Sequence, residues 1–370
     1  ALNRAVIEAA GKFAGGRDDA RTMSVAEFAP ELETARDALL LFERIESEPR
    51  LIVAGAGHVG ASLARLAALV GYDVTLIDAW PENGETIRAR GLELEGGTPE
   101  ERFVVRKAKT LHLTEVQSLA RNPVDIAMIS VKSYDTRWAS ALIAPYLSEQ
   151  GFAVSLQNCL NEETIAQVVG WGRSVGVVAS LISVDLYEAA RIRRTVPKGG
   201  DKHTVFRIGE PHGRITPRVE ELVGWFRAID SSKATTNLWG ERWSKLVQNS
   251  MANGVTAATG LTTGDCLRNP ANRRFQIALA GEGIRVGQAL GYQLEKIRGA
   301  VPELYVRAAD GDSQALSELE ALIVPSAGSN PRADIQRPSM AQDILKGRRT
   351  EIAAMNGYIA RKGAAVGVPA

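Results

Sequence analysis

Leu51-Ile52-Val53-Ala54 is a short, uninterrupted apolar run, the pattern of a strand covered on both faces. It feeds into 55-GAGHVG-60, then a stretch of helical periodicity through Val70, then a second strand pattern, 73-DVTLI-77, closed by Asp78. Strand, glycine loop, helix, strand and acid follow one another within a single βαβ unit. Further apolar runs at 125-DIAMISV-131, 152-FAVSLQ-157 and 175-VGVVASLIS-183 alternate with helical tracts near 134–148 and 161–170, which predicts an α/β layer structure. The segments 191-RIRRTV-196 and 203-HTVFRIG-209 read as a hairpin around 197-PKGGDK-202. Thr216-Pro217 opens a helix, with Thr as N-cap and Pro in the first helical position.

On either side of this region the period is helical. Before residue 50, Ser24 with Glu27 forms a capping-box pattern, and Phe28, Leu32, Leu39, Phe42 and Ile45 recur at roughly helical spacing. After Asn237 strand patterns nearly vanish, and a polar break at 325-PSAGSNPRADIQRP-338 interrupts an otherwise helical tract. The expected organisation is α/β: a helical extension over 1–49, an N-terminal Rossmann-type dinucleotide-binding domain over 50–236, and an all-helical C-terminal domain over 237–370.

Composition narrows the function classes. The 370 residues are 45% hydrophobic and 24% charged, the balance of a soluble globular protein. Lys plus Arg number 44 against 43 Asp plus Glu, so nothing favours nucleic acid or an anionic membrane as partner. No run approaches the length of a membrane helix, and no secretory signal is visible. Cys159 and Cys266 are the only cysteines, which suits a reducing, cytoplasmic setting, and the four histidines lack metal-ligand spacing. No metal is expected.

Gly55, Gly57 and Gly60 form G-x-G-x-x-G, permitting in turn a tight turn, close approach of a pyrophosphate and close helix–strand packing. The loop residues Gly55, Gly57, His58, Val59 and Gly60 are therefore candidate cofactor contacts, with His58 a spectator rather than a catalyst. Asp78 stands where an acid accepts hydrogen bonds from an adenosine ribose. Its carboxylate would repel a 2′-phosphate, and 79-AWPENGETI-87 offers no Arg or Lys to bind one, which favours NAD(H) and leaves NADP(H) open. Asp78 also reads simply as a turn residue.

Lys245, Asn249 and Asn253 stand four residues apart on one helical stripe, beside the apolar Trp239, Trp243 and Leu246. By pattern alone that stripe is a solvated face. Ser339 likewise reads as an N-cap, Glu351 as a first-turn acid, and Asn158 as a loop cap.

From about residue 50 onward the chain resembles the ketopantoate reductase (2-dehydropantoate 2-reductase) family. The matching pieces are 55-GAGHVG-60, 130-SVKSYDT-136, 156-LQNCLNEE-163, 242-RWSKLVQNSMAN-253 and 338-PSMAQDILKGRRTEIAAMNG-357. The resemblance implies Lys245 as the general acid that protonates the carbonyl oxygen as hydride arrives, and Glu351 as a group that holds the substrate and orients that lysine. It implies substrate contacts from Ser339, Asn249 and Asn253, and places Asn158 and Lys132 at the cofactor side, with Asn158 reaching the substrate as well. Two departures stand out: Asp78-Ala79 where many members carry a basic residue, and Cys159 where a glycine is usual. Residues 49–78 also resemble the Rossmann part of xanthine dehydrogenase accessory proteins.

The leading expectation is an NAD(P)H-dependent reductase of a branched 2-oxo acid, with 2-dehydropantoate to pantoate as default. The alternatives are the same chemistry on another 2-oxo acid, and a non-catalytic NAD-binding accessory or sensor protein. The partner is then a small-molecule substrate, with neither nucleic acid nor membrane, and room for a homodimer.

Overall fold

The computed structural model describes residues 2–14, 20–32, 37–43, 50–54, 73–96, 98, 101–106, 109–324, 333–334 and 337–370. The chain divides into two compact units, Ala1–Glu48 and Pro49–Ala370. The glycine loop, with Gly55, Gly57, His58, Val59 and Gly60, lies outside the described residues.

The first unit contains α1 (Leu2–Ala14), β1 (Ala20–Ser24), α2 (Val25–Phe28) and β2 (Leu39–Glu43). Ser24 and Glu27 form the expected capping box, with the Ser24 N–H donating to Glu27 Oε1 at 3.0 Å. The helical expectation for 1–49 meets helices at α1 and α2 but fails at 20–24 and 39–43. β1 and β2 pair antiparallel, Ala20 opposite Glu43 through Ser24 opposite Leu39. Leu39 and Phe42 fit a helical spacing, but 39-LLLF-42 is a short continuous apolar run, which periodicity cannot separate from a strand.

In the second unit, β3 (Arg50–Ala54) and β4 (Asp73–Asp78) are followed by α3 (Pro81–Arg90), β5 (Leu92–Glu95), β6 (Phe103–Val105) and β7 (Lys109–His112). Next come β8 (Val124–Ile129), α4 (Thr136–Ile143), β9 (Leu147–Ser155), α5 (Glu162–Val169) and β10 (Ser174–Ala179). β11 (Val184–Glu188), β12 (Arg191–Arg194), β13 (Phe206–Gly209), α6 (Pro217–Ile229) and β14 (Ser232–Ala234) complete this half.

The main sheet runs β14-β13-β10-β9-β8-β3-β4-β7. Its six strands from β7 to β10 are parallel, in the order of a doubly wound dinucleotide-binding sheet, and β13–β14 extend it antiparallel. β3 pairs with both β4 and β8, so the strand order reverses there, and the crevice at the carboxyl ends of these strands is the natural ligand position. Strand residues alternate between two cores, as the pleat demands: Leu51 and Val53 join one cluster, Ile52 and Ala54 the other.

The expected hairpin of 191–196 with 203–209 does not form. β12 pairs with β11 and β5 in a separate sheet, β11-β12-β5-β6, while β13 joins the main sheet. Charge and burial decide this. Arg191 and Arg193 lie opposite Glu93 and Glu95 in register and pair with them at 3.1 and 3.0 Å. Phe206 is buried against Phe226 of α6, their ring centroids 4.7 Å apart.

The remainder is helical: α7 (Leu238–Thr259), α8 (Thr263–Arg268), α9 (Pro270–Ala289), α10 (Pro302–Ala309), α11 (Ser313–Ile323), α12 (Ser339–Leu345) and α13 (Asn356–Val366). Asn237 caps α7 by accepting from the Gly240 N–H, and Gly260 in left-handed backbone ends it. Trp243, fully buried, donates its indole N–H to Gly283 O at 2.8 Å, and a Cβ on Gly287 would stand 2.4 Å from its ring. α9 therefore needs glycine at that point to approach α7. Among the described residues no helix is long and apolar enough to cross a membrane.

The helical half meets the sheet through Arg242 of α7. Its side chain pairs with the buried Glu162 of α5 and donates to Gln157 O at 2.6 Å and Ser155 O at 3.0 Å. Truncating one partner leaves a buried charge alone. Arg242→Ala is therefore expected to lower unfolding free energy by about 3–5 kcal/mol, measured as a shift of the denaturant midpoint; a shift equivalent to under ~1 kcal/mol would show the pair to be dispensable.

Candidate functional site

α7 carries the polar stripe. Lys245 and Asn249 are half-buried and Asn253 is 7% exposed, on the helix whose rotation Trp243 and Arg242 fix. Asn249 Nδ2 donates to Asn158 Oδ1 at 3.3 Å, which brings the stripe to the loop after β9. Asn253 Nδ2 has the thioether sulfur of Met355 at 3.7 Å, a weak acceptor.

The Asn158 loop is braced from behind. Gln157 Nε2 donates to Val131 O at 2.6 Å and to Thr136 Oγ1 at 2.8 Å, and Asn161 Nδ2 donates to Asn158 O at 2.7 Å. Cys159, standing where the family pattern has glycine, is held at φ 67, a left-handed conformation that side chains disfavour. The turn is thus kept despite its Cβ. The thiol is 4% exposed; burial first, and the nearby Glu351 carboxylate second, push its pKa up to about 12.

Lys132 and Glu351 meet. Lys132 follows β8 at the carboxyl edge, and its ammonium stands 2.5 Å from Asp343 Oδ2 and 3.4 Å from Glu351 Oε2. Burial works against this charge, but Glu351 and Asp343 outweigh it and hold the lysine pKa above its ordinary value. Glu351, 4% exposed, lies in the turn before α13 rather than in a helical first turn. Its other oxygen accepts from the Ser133 N–H and from Ser133 Oγ, both at 2.8 Å. Ser339 is the first residue of α12, after Pro338 in the capping position, and α12 packs on α7.

Asp78 ends β4, and its oxygens accept from the Trp80 N–H at 3.0 Å and Asn83 Nδ2 at 2.6 Å. Asn83 is itself fully buried and accepts from the Ala190 N–H at 2.8 Å. Asp78 is therefore a turn residue with a fixed orientation, and its carboxylate oxygens keep lone pairs for further donors. Beside it, a groove is lined by Trp80, Glu82, Glu85, Arg90 and Glu188.

The structure thus joins Asn158 to Asn249, and Lys132 to Glu351, while Asp78 stands on the same carboxyl edge, two strands from β8. Sequence reasoning missed Ser133, Asp343, Arg242 and Glu162. Each falls inside a motif already singled out, but a pattern of residue types does not reveal which polar side chains are buried partners. A dinucleotide suits this edge: the strand-order reversal opens a crevice, an oriented acid ends β4, and an ammonium and an amide follow β8 and β9.

Two family models match the chain: "Ketopantoate reductase PanE/ApbA" over residues 51–201 and "Ketopantoate reductase PanE/ApbA C terminal" over 237–370. The 2-dehydropantoate 2-reductase of Archaeoglobus fulgidus is 27% identical over 321 residues, covering 86% of this chain and 92% of its own. That of Pyrococcus horikoshii is 28% identical over 312 residues, covering 84% and 89%. The crystal structure of 2-dehydropantoate 2-reductase from Geobacter metallireducens superposes with a TM-score of 0.68 at 25% identity, covering 86% of this chain and 94% of its own. A D-mandelate dehydrogenase solved with NADH and anilino(oxo)acetate shares the fold, with a TM-score of 0.69 at 17% identity and coverage of 86% and 93%.

A thiol with a pKa of about 12 leaves about one thiolate in ten thousand at pH 8. Native protein is expected to resist a thiol reagent at Cys159 at that pH and to react fully in denaturant. Rapid native labelling of Cys159, located by peptide mass analysis, would contradict its burial.

Proposed function

The chain belongs to the ketopantoate reductase family, and on that premise we propose that it reduces 2-dehydropantoate to pantoate. It is a nicotinamide-dependent oxidoreductase acting on a CH–OH donor in the reverse direction. The observation that carries the substrate reading is the convergence of Asn158, Asn249, Lys132 and Glu351 at the carboxyl edge of the sheet, beside the helix that bears Lys245.

The residues divide the work as follows. The domain of 50–236 binds the cofactor, with the 55–60 loop and Asp78 at the adenosine end and Lys132 and Asn158 at the nicotinamide end. The domain of 237–370 binds substrate. Asn249, Asn253 and Ser339 hold its hydroxyl, carbonyl and carboxylate groups, and Glu351 fixes its orientation. A reduced nicotinamide supplies the hydride when bound. Negative charge then develops on the carbonyl oxygen; the Lys245 ammonium stabilises it and gives up one proton, so the ketone becomes an alcohol.

We propose NADH over NADPH. The Asp78 carboxylate is aimed by Trp80 and Asn83, and Glu82, Glu85 and Glu188 line the adjoining groove, so a 2′-phosphate would meet mostly negative charge. Two unpaired, buried thiols support a reducing, cytoplasmic setting.

Nicotinamide absorbance decay with ketopantoate, run with NADH and with NADPH, tests both readings; turnover only with NADPH would reverse the cofactor preference. Lys245→Ala is expected to lower kcat by about 10²-fold or more while NADH still binds, and an undiminished kcat removes it from the mechanism. Asp78→Ala should weaken NADH and narrow the NADH/NADPH ratio of kcat/KM by about tenfold; an unchanged ratio assigns the choice to other residues.

A further inference from the structure

Glu351 belongs to the C-terminal motif, but the groups that hold its carboxylate come from the turn after β8. Ser133 takes one oxygen twice, through its N–H and through Oγ, each at 2.8 Å. Lys132 stands 3.4 Å from the other oxygen, and its ammonium is nearer Asp343, at 2.5 Å. Coulomb attraction falls with distance, so Asp343 takes the larger share of Lys132, and the two short bonds from Ser133 carry the orientation of Glu351.

The serine hydroxyl is itself held. Asn161 Nδ2 donates to Ser133 Oγ at 3.3 Å, Asn161 Oδ1 accepts from Thr136 Oγ1 at 3.2 Å, and Gln157 Nε2 donates to Thr136 Oγ1 at 2.8 Å. Thr136 is fully buried and Asn161 nearly so. A continuous set of hydrogen bonds thus runs from the interior of the cofactor-side half to a carboxylate on the substrate side.

We propose that Ser133 is a positioning residue of the reductase, its N–H and hydroxyl aiming the Glu351 carboxylate at the bound 2-oxo acid. The proposal rests on the reading that Glu351 contacts substrate. Removing the hydroxyl leaves the main-chain N–H in place but lets the carboxylate turn, and substrate meets a misaligned partner.

The test is steady-state kinetics of the full chain with ketopantoate. Ser133→Ala is expected to raise KM for ketopantoate about tenfold, with KM for the nicotinamide and Tm nearly unchanged. Ser133→Thr, which keeps a hydroxyl, should recover most of the loss. In a Glu351→Ala background Ser133→Ala should add nothing, because the group it aims is gone. An unchanged KM in Ser133→Ala, or equal losses in both backgrounds, overturns the proposal while wild-type turnover keeps the reductase reading. A fall in Tm with matching losses for both ligands shows a merely structural serine and overturns it too. A wild-type chain that reduces no 2-oxo acid overturns the reading and the proposal together.

Discussion

The buried ion pair of Arg242 and Glu162 is the constraint on which the site depends. Relative to well-packed apolar side chains such a pair adds little net stability, because desolvation of both charges offsets their attraction. What it imposes here is geometry. The guanidinium fork reaches Glu162 together with the carbonyls of Ser155 and Gln157, so α7 can sit against β9 in one rotation and one height. Gly176 makes room for this, since a Cβ there would stand 2.7 Å from Glu162 Oε1. With Arg242 fixed, Lys245, Asn249 and Asn253 follow along the same helix by its pitch.

A second set of contacts closes the site from the other side. Lys132 shared between two carboxylates, the Ser133 turn and the Glu163 carboxylate that accepts from Tyr358 at 3.2 Å and Lys362 at 3.1 Å all link cofactor-side elements to the C-terminal segment. Burial raises the Tyr358 phenol, and the Glu163 charge adds to the effect, so the tyrosine stays a donor. The small sheet β11-β12-β5-β6 reaches the carboxyl end of β4 through Asn83, which joins the β11–β12 turn to Asp78.

The parallel sheet was legible because both of its faces are covered, and continuous apolar runs such as 51–54 then stand out. The long helix α7 was legible from the four-residue spacing of Lys245, Asn249 and Asn253. The hairpin at 191–209 was misread because local alternation says that a strand exists but not which strand it joins. The arginines of 191-RIRR-194 find their complement in 92-LELE-95, about a hundred residues away. The ribbon at 20–43 was misread for a related reason, its five-residue strands being too short for a period to decide. The placing of Lys245, Asn249 and Asn253 along one stripe came through, because helical spacing alone fixes it. Ser133 and Asp343 did not, because their importance lies in partners 218 and 211 positions distant.

Those separations have a consequence for the order in which the protein becomes competent. Contacts between residues so far apart carry the largest loop-closure cost and form only when much of the intervening chain is already folded. A nascent chain that has reached residue 340 possesses Lys132, Ser133, Asn158 and Lys245, yet lacks both Asp343 and Glu351. During synthesis the crevice at the carboxyl ends of the strands is therefore assembled before the carboxylates that Lys132 and Ser133 hold, and the contacts that join this edge to the C-terminal segment arrive as a late, long-range event of folding.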